Sequence, residues 1–283
     1  MAKAGPLAGT TRWLARDLPL AILNNCLPRW HQHTTNNLSY GPHPRMRLDV
    51  VAPKTPAEGQ PVVVFYYGGR WQTGSRKAYA FVGHALASKG ILCVLADYRL
   101  YPEAGFPHFL DDAGKALAWV GTHIHEHGGN PENLFLMGHS AGAHIAAMLA
   151  LHDGFRPAFK ETGARLRGLI GISGPYDFLP ITDQDVIEVF GDKSESMESQ
   201  PIHYVTEHAP PALLVTSSGD VVVRPRNAKA LARRLDAVGV PSWAMKLSGL
   251  SHAETIAVLA SPLRWRAPIL NEISRFTAEF GAS

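Results

Sequence analysis

Cysteine is scarce: Cys26 and Cys93 are the two in 283 residues. Two thiols in unlike surroundings build neither a disulfide framework nor a cysteine-based metal site. Cys26 lies in an irregular N-terminal region and Cys93 inside the apolar run "ILCVLAD". Long apolar runs are missing too, and no stretch is long enough to span a membrane. The opening "MAKAGPLAGTTRWLARDLPLAILNN" is interrupted by Arg12, Arg16 and Asp17, so it does not read as a signal peptide. No stable membrane insertion and a cytoplasmic setting are therefore expected. Charge is sparse, at 18% charged residues and a net +3, and the basic residues do not run together. The densest cluster, Arg224, Arg226, Arg233 and Arg234, reads as a solvated helix face, and no nucleic-acid partner is expected.

What the chain does have is apolar residues, 46% of the total, enough for a large core and too many for disorder. "PVVVFYY" and "ILCVLAD" are continuous apolar runs of the kind buried on both faces of a sheet, and "RMRLDVV" alternates like an antiparallel edge strand. Helical segments separate them: "RKAYAFVGHALASKG" closes at Gly90, and "FLDDAGKALAWVGTHIHEH" closes at Gly128-Gly129. Strand–helix alternation continues to the C-terminus. It predicts an α/β fold with a mostly parallel central sheet, helices on both faces, and a small cap or N-terminal arm. Residues 1–36 are expected as an N-terminal helical arm and 37–283 as the main domain, with an excursion over 174–209 forming a small cap or pocket wall.

The chemistry concentrates in "LFLMGHSAGAH". Gly138-His139-Ser140-Ala141-Gly142 is G-x-S-x-G, directly after a strand and directly before a helix, which puts Ser140 on a tight turn with Oγ above the sheet edge. A serine hydroxyl needs a base, and the base an orienting acid. In the α/β-hydrolase arrangement serine comes first, then the acid, then histidine. Downstream of Asp220, in "PALLVTSSGDVVV", the chain has one histidine, His252. His252 is thus the expected base and Asp220 the expected acid, with Asp177 in "GPYDF" as the alternative acid. His139 and His144 are expected to pack or hydrogen-bond. The histidines at 123, 125 and 127 point in different directions along a helix and make no metal site.

With these residues placed, the chain resembles the α/β-hydrolase superfamily, and more narrowly its bacterial carboxylesterase branch of hormone-sensitive-lipase-like, kynurenine-formamidase-like and feruloyl-esterase-like enzymes. "GHSAGAHI" resembles their elbow, "DYRLYPEAGFPHFLDDAGKALAWV" the segment after the fourth strand, and "GDVVVRP" the pattern around their acid. The branch carries His-Gly-Gly-X-Trp after its third strand; here the text is Tyr67-Gly68-Gly69-Arg70-Trp71. The resemblance implies an oxyanion hole from the backbone N–H groups of Gly69, Arg70 and Ala141, since glycines let main chain approach a reacting carbonyl. Tyr67 stands in place of the branch's histidine, and Thr216-Ser217 in place of a frequent His-Gly before the acid. Trp71, Tyr176, Phe178 and Leu179 are expected to line the substrate pocket.

The expected reaction is hydrolysis of short- to medium-chain carboxylic esters through an acyl-enzyme on Ser140. It requires no cofactor and no metal. The partner is a small-molecule ester, and a homodimer is left open. An aryl formamidase using the same three residues is the alternative, and a non-catalytic binding protein on the same fold is the reading from a different class.

Overall fold

The computed structural model describes residues 23–26, 32–55, 57 and 59–281. Eight strands form one sheet: β1 (Gln32–Ser39), β2 (Arg47–Pro53), β3 (Val62–Tyr66), β4 (Leu92–Ala96), β5 (Leu134–His139), β6 (Leu166–Ile172), β7 (Ala212–Ser217) and β8 (Ser242–Leu247). Their order is β1-β2-β4-β3-β5-β6-β7-β8. β1 and β2 pair antiparallel, β2 joins β4 antiparallel, and every pairing from β4 onward is parallel.

The composition of each strand matches its place. β3, β4 and β5 are buried at every residue, which requires cover on both faces. The cover comes from the helices α1 (Ala80–Ala87), α2 (His108–His123), α3 (Ala141–Leu151), α5 (Arg226–Asp236) and the C-terminal α6 (Ile269–Phe280), while α4 (Gln184–Phe190) belongs to the excursion over 174–209. α1 packs on β4 and β2, α3 on β5 and β6, and α5 on β8 and β7. No helix among the described residues is long and apolar enough to cross a membrane.

Two expectations change here. "RMRLDVV" is not an edge: β2 lies between β1 and β4 and is mostly buried. The edge is β1, "QHTTNNLS", a polar and mainly exposed strand with no apolar alternation to betray it. β1 also begins at Gln32, so residues 32–36 belong to the sheet rather than to the arm. Most of the expected arm, 1–22 and 27–31, lies outside the described residues.

One polar cluster is sealed inside this end of the sheet. Arg76 is 5% exposed and sits between Asp49 and Asp97, themselves 7% and 5% exposed. Its Nε donates to Asp49 Oδ1 at 2.8 Å, a guanidinium NH reaches Asp97 Oδ2, and its backbone N–H donates to Asp97 Oδ1 at 2.7 Å. Asn37 completes the cluster, donating its N–H to Asp49 Oδ1 and accepting from Arg76.

The parallel pairings decide where chemistry can occur. Segments leaving β3, β5, β7 and β8 emerge at the carboxyl edge of the sheet, where open α/β sheets hold their ligands. Tyr66, the last residue of β3, is in register with Gly138 in β5. The Gly68-Gly69 loop and the Ser140 turn are therefore neighbours by sheet geometry.

Candidate active site

Ser140 occupies the turn between β5 and α3 with φ 55° and ψ −123°, a conformation that a non-glycine residue adopts only under the constraint of its surroundings. The flanking glycines are those constraints. A Cβ on Gly138 would lie 2.1 Å from the carbonyl oxygen of Gly142, and one on Gly142 would lie 1.9 Å from that of Tyr66. Both obstacles are backbone, so neither position admits a side chain without moving the turn.

His252 follows β8 and meets this serine. Its Nε2 lies 2.8 Å from Ser140 Oγ, and its Nδ1 lies 2.9 Å from Asp220 Oδ2. Asp220 also accepts the backbone N–H groups of Val222 and Val223 at 3.0 and 2.9 Å. Burial pushes the Asp220 carboxyl up, but the His252 hydrogen bond and charge, with the Val223 N–H, bring it below the usual carboxylate range. Asp177, the alternative acid, is exposed, and its N–H donates to Asn227 Oδ1 instead. The geometry thus selects Asp220 as the partner of His252.

The acid and base segments are stitched together by serines at the Thr216-Ser217 departure. Ser217 Oγ accepts the N–H of Leu250 at 3.0 Å, and Ser218 Oγ accepts that of Gly249 at 3.1 Å. Thr255 Oγ1 donates to the His252 carbonyl at 2.7 Å. A glycine at position 217 would leave the Leu250 N–H without this acceptor.

The Tyr67 departure also has a structural account. Arg45 donates to the Tyr67 hydroxyl at 2.8 Å and to the Gly74 carbonyl at 2.9 Å, while Tyr98 donates to the Tyr67 carbonyl at 2.9 Å. Tyr67 stacks on Tyr98 with centroids 4.8 Å apart. A tyrosine–arginine clamp thus fixes the start of the glycine loop. Gly69 has φ 133°, and Arg70 and Trp71 follow at 58° and 60°. The backbone N–H groups of Gly69 and Ala141 donate to no acceptor among the described residues.

The Arg70 side chain turns away to the cap. It pairs with Asp183 at 2.5 Å and faces Asp185 at 3.8 Å, while Gln72 donates to the Asp185 carbonyl at 2.8 Å. Asp183 is the N-cap of α4, so the excursion over 174–209 is pinned to the glycine loop at the first turn of its helix.

His139 and His144 pack, as expected. The His139 ring lies tilted against the His252 ring, centroids 4.9 Å apart, with Nε2 3.2 Å from the His252 carbonyl. His144 sits edge-on to Trp71 and donates to the Ser199 carbonyl at 2.9 Å. Burial drives the two imidazoles down to about 3 and about 4, respectively. Folded-state values below the unfolded value, about 6.5, give stability that is complete above that pH and is lost as pH falls towards them. Each group should therefore remove about 2 kcal/mol between pH 7 and pH 5. Urea midpoints at the two pH values measure this, and His144→Gln should shrink the drop by about that amount. A drop unchanged in the variant would contradict a neutral buried His144.

A cavity of about 300 Å³ opens over Ser140 and Ala141. Trp71 and Phe178 line it, but Tyr176 and Leu179 do not. Tyr176 is 1% exposed at the start of the excursion, with its hydroxyl against the backbone of Gly171 and Gly174. The missed walls come from Ile181 and Val186 of the excursion and from Val222 and Val223 beside the acid. The last two were within reach of sequence reasoning, since they directly follow Asp220 in "GDVVVRPR".

The chain is similar to proteins named as esterases. A probable isoprenylcysteine alpha-carbonyl methylesterase of Oryza sativa subsp. japonica is 40% identical over 153 residues, covering 51% of this chain and 35% of the relative. The probable carboxylic ester hydrolase LipM of Mycobacterium tuberculosis is 30% identical over 220 residues, covering 70% of this chain and 51% of the relative. This chain spans about half or less of these two curated relatives. Among solved structures, a Pyrobaculum calidifontis esterase matches with a TM-score of 0.77 at 23% identity, over 96% of this chain and 94% of its own. Esterase B from Lactobacillus rhamnosis matches with a TM-score of 0.78 at 19% identity, over 96% and 94%. At such identities the likeness concerns the fold, which is that of the α/β-hydrolases. Residues 48–235, from β2 through the serine turn and Asp220 to the last turn of α5, match the BD-FAE model, and the chain belongs to that family.

Proposed function

We propose that this protein is a serine carboxylesterase that cleaves short- to medium-chain esters. The observation that carries the reading is the continuous hydrogen-bonded line from Ser140 through His252 to Asp220, at 2.8 and 2.9 Å, opening into a small cavity. His252 Nε2 takes the Ser140 proton as Oγ attacks the ester carbonyl. Asp220 keeps the other ring N–H oriented and stabilises the imidazolium. The developing oxyanion is met by backbone N–H groups of Gly69, Arg70 and Ala141, donors of a kind worth about 3–4 kcal/mol each. His252 then returns the proton to the leaving alkoxide. Water, activated the same way, releases the acid. The esterase names of the relatives support the same reaction class.

Chain-length preference follows from the cavity: about 300 Å³ bounded by Trp71 and Phe178 suits short acyl groups. Among p-nitrophenyl esters, turnover should be highest from acetate to hexanoate and fall at longer chains, and N-formylkynurenine should be a poor substrate by comparison. A p-nitrophenyl alkylphosphonate should release one equivalent of p-nitrophenol and leave its phosphonyl group on the Ser140 peptide, read by mass spectrometry. Labelling elsewhere, or faster cleavage of N-formylkynurenine than of any ester, would overturn the proposal.

A further inference from the structure

The sequence alone puts Arg224 and Arg226 on a solvated helix face, yet the structure places both in the wall of the Ser140 cavity. We propose that the substrate ester carries a carboxylate, on its acyl or its alcohol part, that Arg224 and Arg226 hold. The proposal rests on the esterase reading above and narrows its substrate class.

The local charge balance leads to it. Three arginines line the cavity, Arg70, Arg224 and Arg226, and among the described residues Asp183 is the one acidic side chain that does. Asp183 is engaged by Arg70, with Asp185 close behind. Arg224 and Arg226 make no ion pair with any described residue, the exposed Asp177 beside them included. The wall therefore carries two positive charges that have no ion-pair partner among the described residues.

Fold stability does not account for them. Arg226 opens α5, whose first turn has no acidic residue and no side-chain cap, and a cation there opposes the helix dipole. Arg224 adds a like charge two residues earlier. Yet the segment is held in place: Asn227 is 5% exposed, accepts the N–H groups of Tyr176 and Asp177 at 2.9 Å each, and donates to the Arg224 carbonyl at 3.4 Å. A buried anchor thus fixes two unpaired cations at the mouth of the reactive cavity. Val222, Val223 and Phe178 line the same cavity with Ser140, which suits an ester with an apolar body and an anionic end.

Guanidinium–carboxylate hydrogen bonds are charge-assisted and geometrically specific. At an exposed rim the gain is screened, so a preference of about tenfold is expected rather than the hundredfold of a buried pair. The test compares kcat/KM for charged and neutral esters, each normalised to its alkaline hydrolysis rate. Mono-p-nitrophenyl glutarate against p-nitrophenyl butyrate places the carboxylate on the acyl side. 3-Butyryloxy-4-nitrobenzoate against 2-nitrophenyl butyrate places it on the alcohol side. One charged member should be preferred about tenfold at low salt, and raising NaCl to about 0.5 M should erode the preference in the unmodified protein. In R224Q/R226Q the ratio should fall to about one, while R224K/R226K should retain part of it. If both neutral esters turn over and neither charged partner is preferred, or if the preference survives in R224Q/R226Q, the inference fails and the esterase reading stands. Absence of turnover with all four esters overturns both.

Discussion

Ser140→Ala should lower kcat/KM for p-nitrophenyl butyrate by on the order of 10⁴ to 10⁶, the loss seen when the nucleophile of such a triad is removed. The substitution deletes one oxygen and leaves the turn intact. Gly138 and Gly142, which make room for the backbone, are untouched, and alanine replaces a residue already held at φ 55°. KM and thermal stability should therefore change little, which separates loss of chemistry from loss of fold. The remaining activity would come from the backbone donors and the cavity alone. Asp220→Asn should cost about 10⁴ by a different route: the amide no longer holds the imidazole in the tautomer that accepts the Ser140 proton. A Ser140→Ala protein within tenfold of the parent rate would sink the acyl-enzyme mechanism.

The largest stability effect should come from a residue far from this chemistry. Arg76→Met should destabilise the protein by about 3–5 kcal/mol, because it leaves Asp49 without its ion pair and Asp97 with Arg45 alone, at 4.0 Å, in a site with almost no access to water. The methionine fills most of the volume, so the cost is electrostatic rather than a cavity. The cluster cannot simply be made apolar: Asp97 Oδ1 also accepts the Arg76 backbone N–H, and Asp49 Oδ1 that of Asn37. Asp97→Asn keeps an oxygen for that N–H and should cost less than Arg76→Met. Urea unfolding of the two variants measures the order, and the reverse order would show that the arginine, not the carboxylates, is dispensable.

The three residues of the hydrogen-bonded line were legible because each announces itself locally. Ser140 stands between two glycines at a strand-to-helix junction, Asp220 follows an apolar strand, and His252 is the one histidine left to pair with it. The buried strands were legible for a similar reason: continuous apolar runs such as "PVVVFYY" have few other places to go. What escaped depends on contacts between distant segments. β1 joins the sheet through backbone hydrogen bonds that its polar side chains do not advertise. The pairing of Arg70 with Asp183 spans the chain from the glycine loop to the cap, and nothing in "YGGRW" points to it. Tyr176 has the composition of a pocket residue but is buried away from the cavity, because Gly171 and Gly174 leave space for its phenol there. Arg224 and Arg226 have the spacing of a solvated face, and only the docking of Asn227 turns them to the cavity.

The serine stitching beside the acid has a dynamic consequence. β8 is an edge strand with a neighbour on one side, so the base hangs from the margin of the sheet while Ser140 is rooted near its middle. Because Ser217 and Ser218 clasp the backbone at Leu250 and Gly249, displacement of that margin carries Asp220 and His252 together as one body. The same body is also tied to the serine side of the sheet, through His139 Nε2 at 3.2 Å from the His252 carbonyl and Ser173 Oγ at 3.0 Å from Thr255 Oγ1, so a shift of the margin is resisted at both contacts of the imidazole.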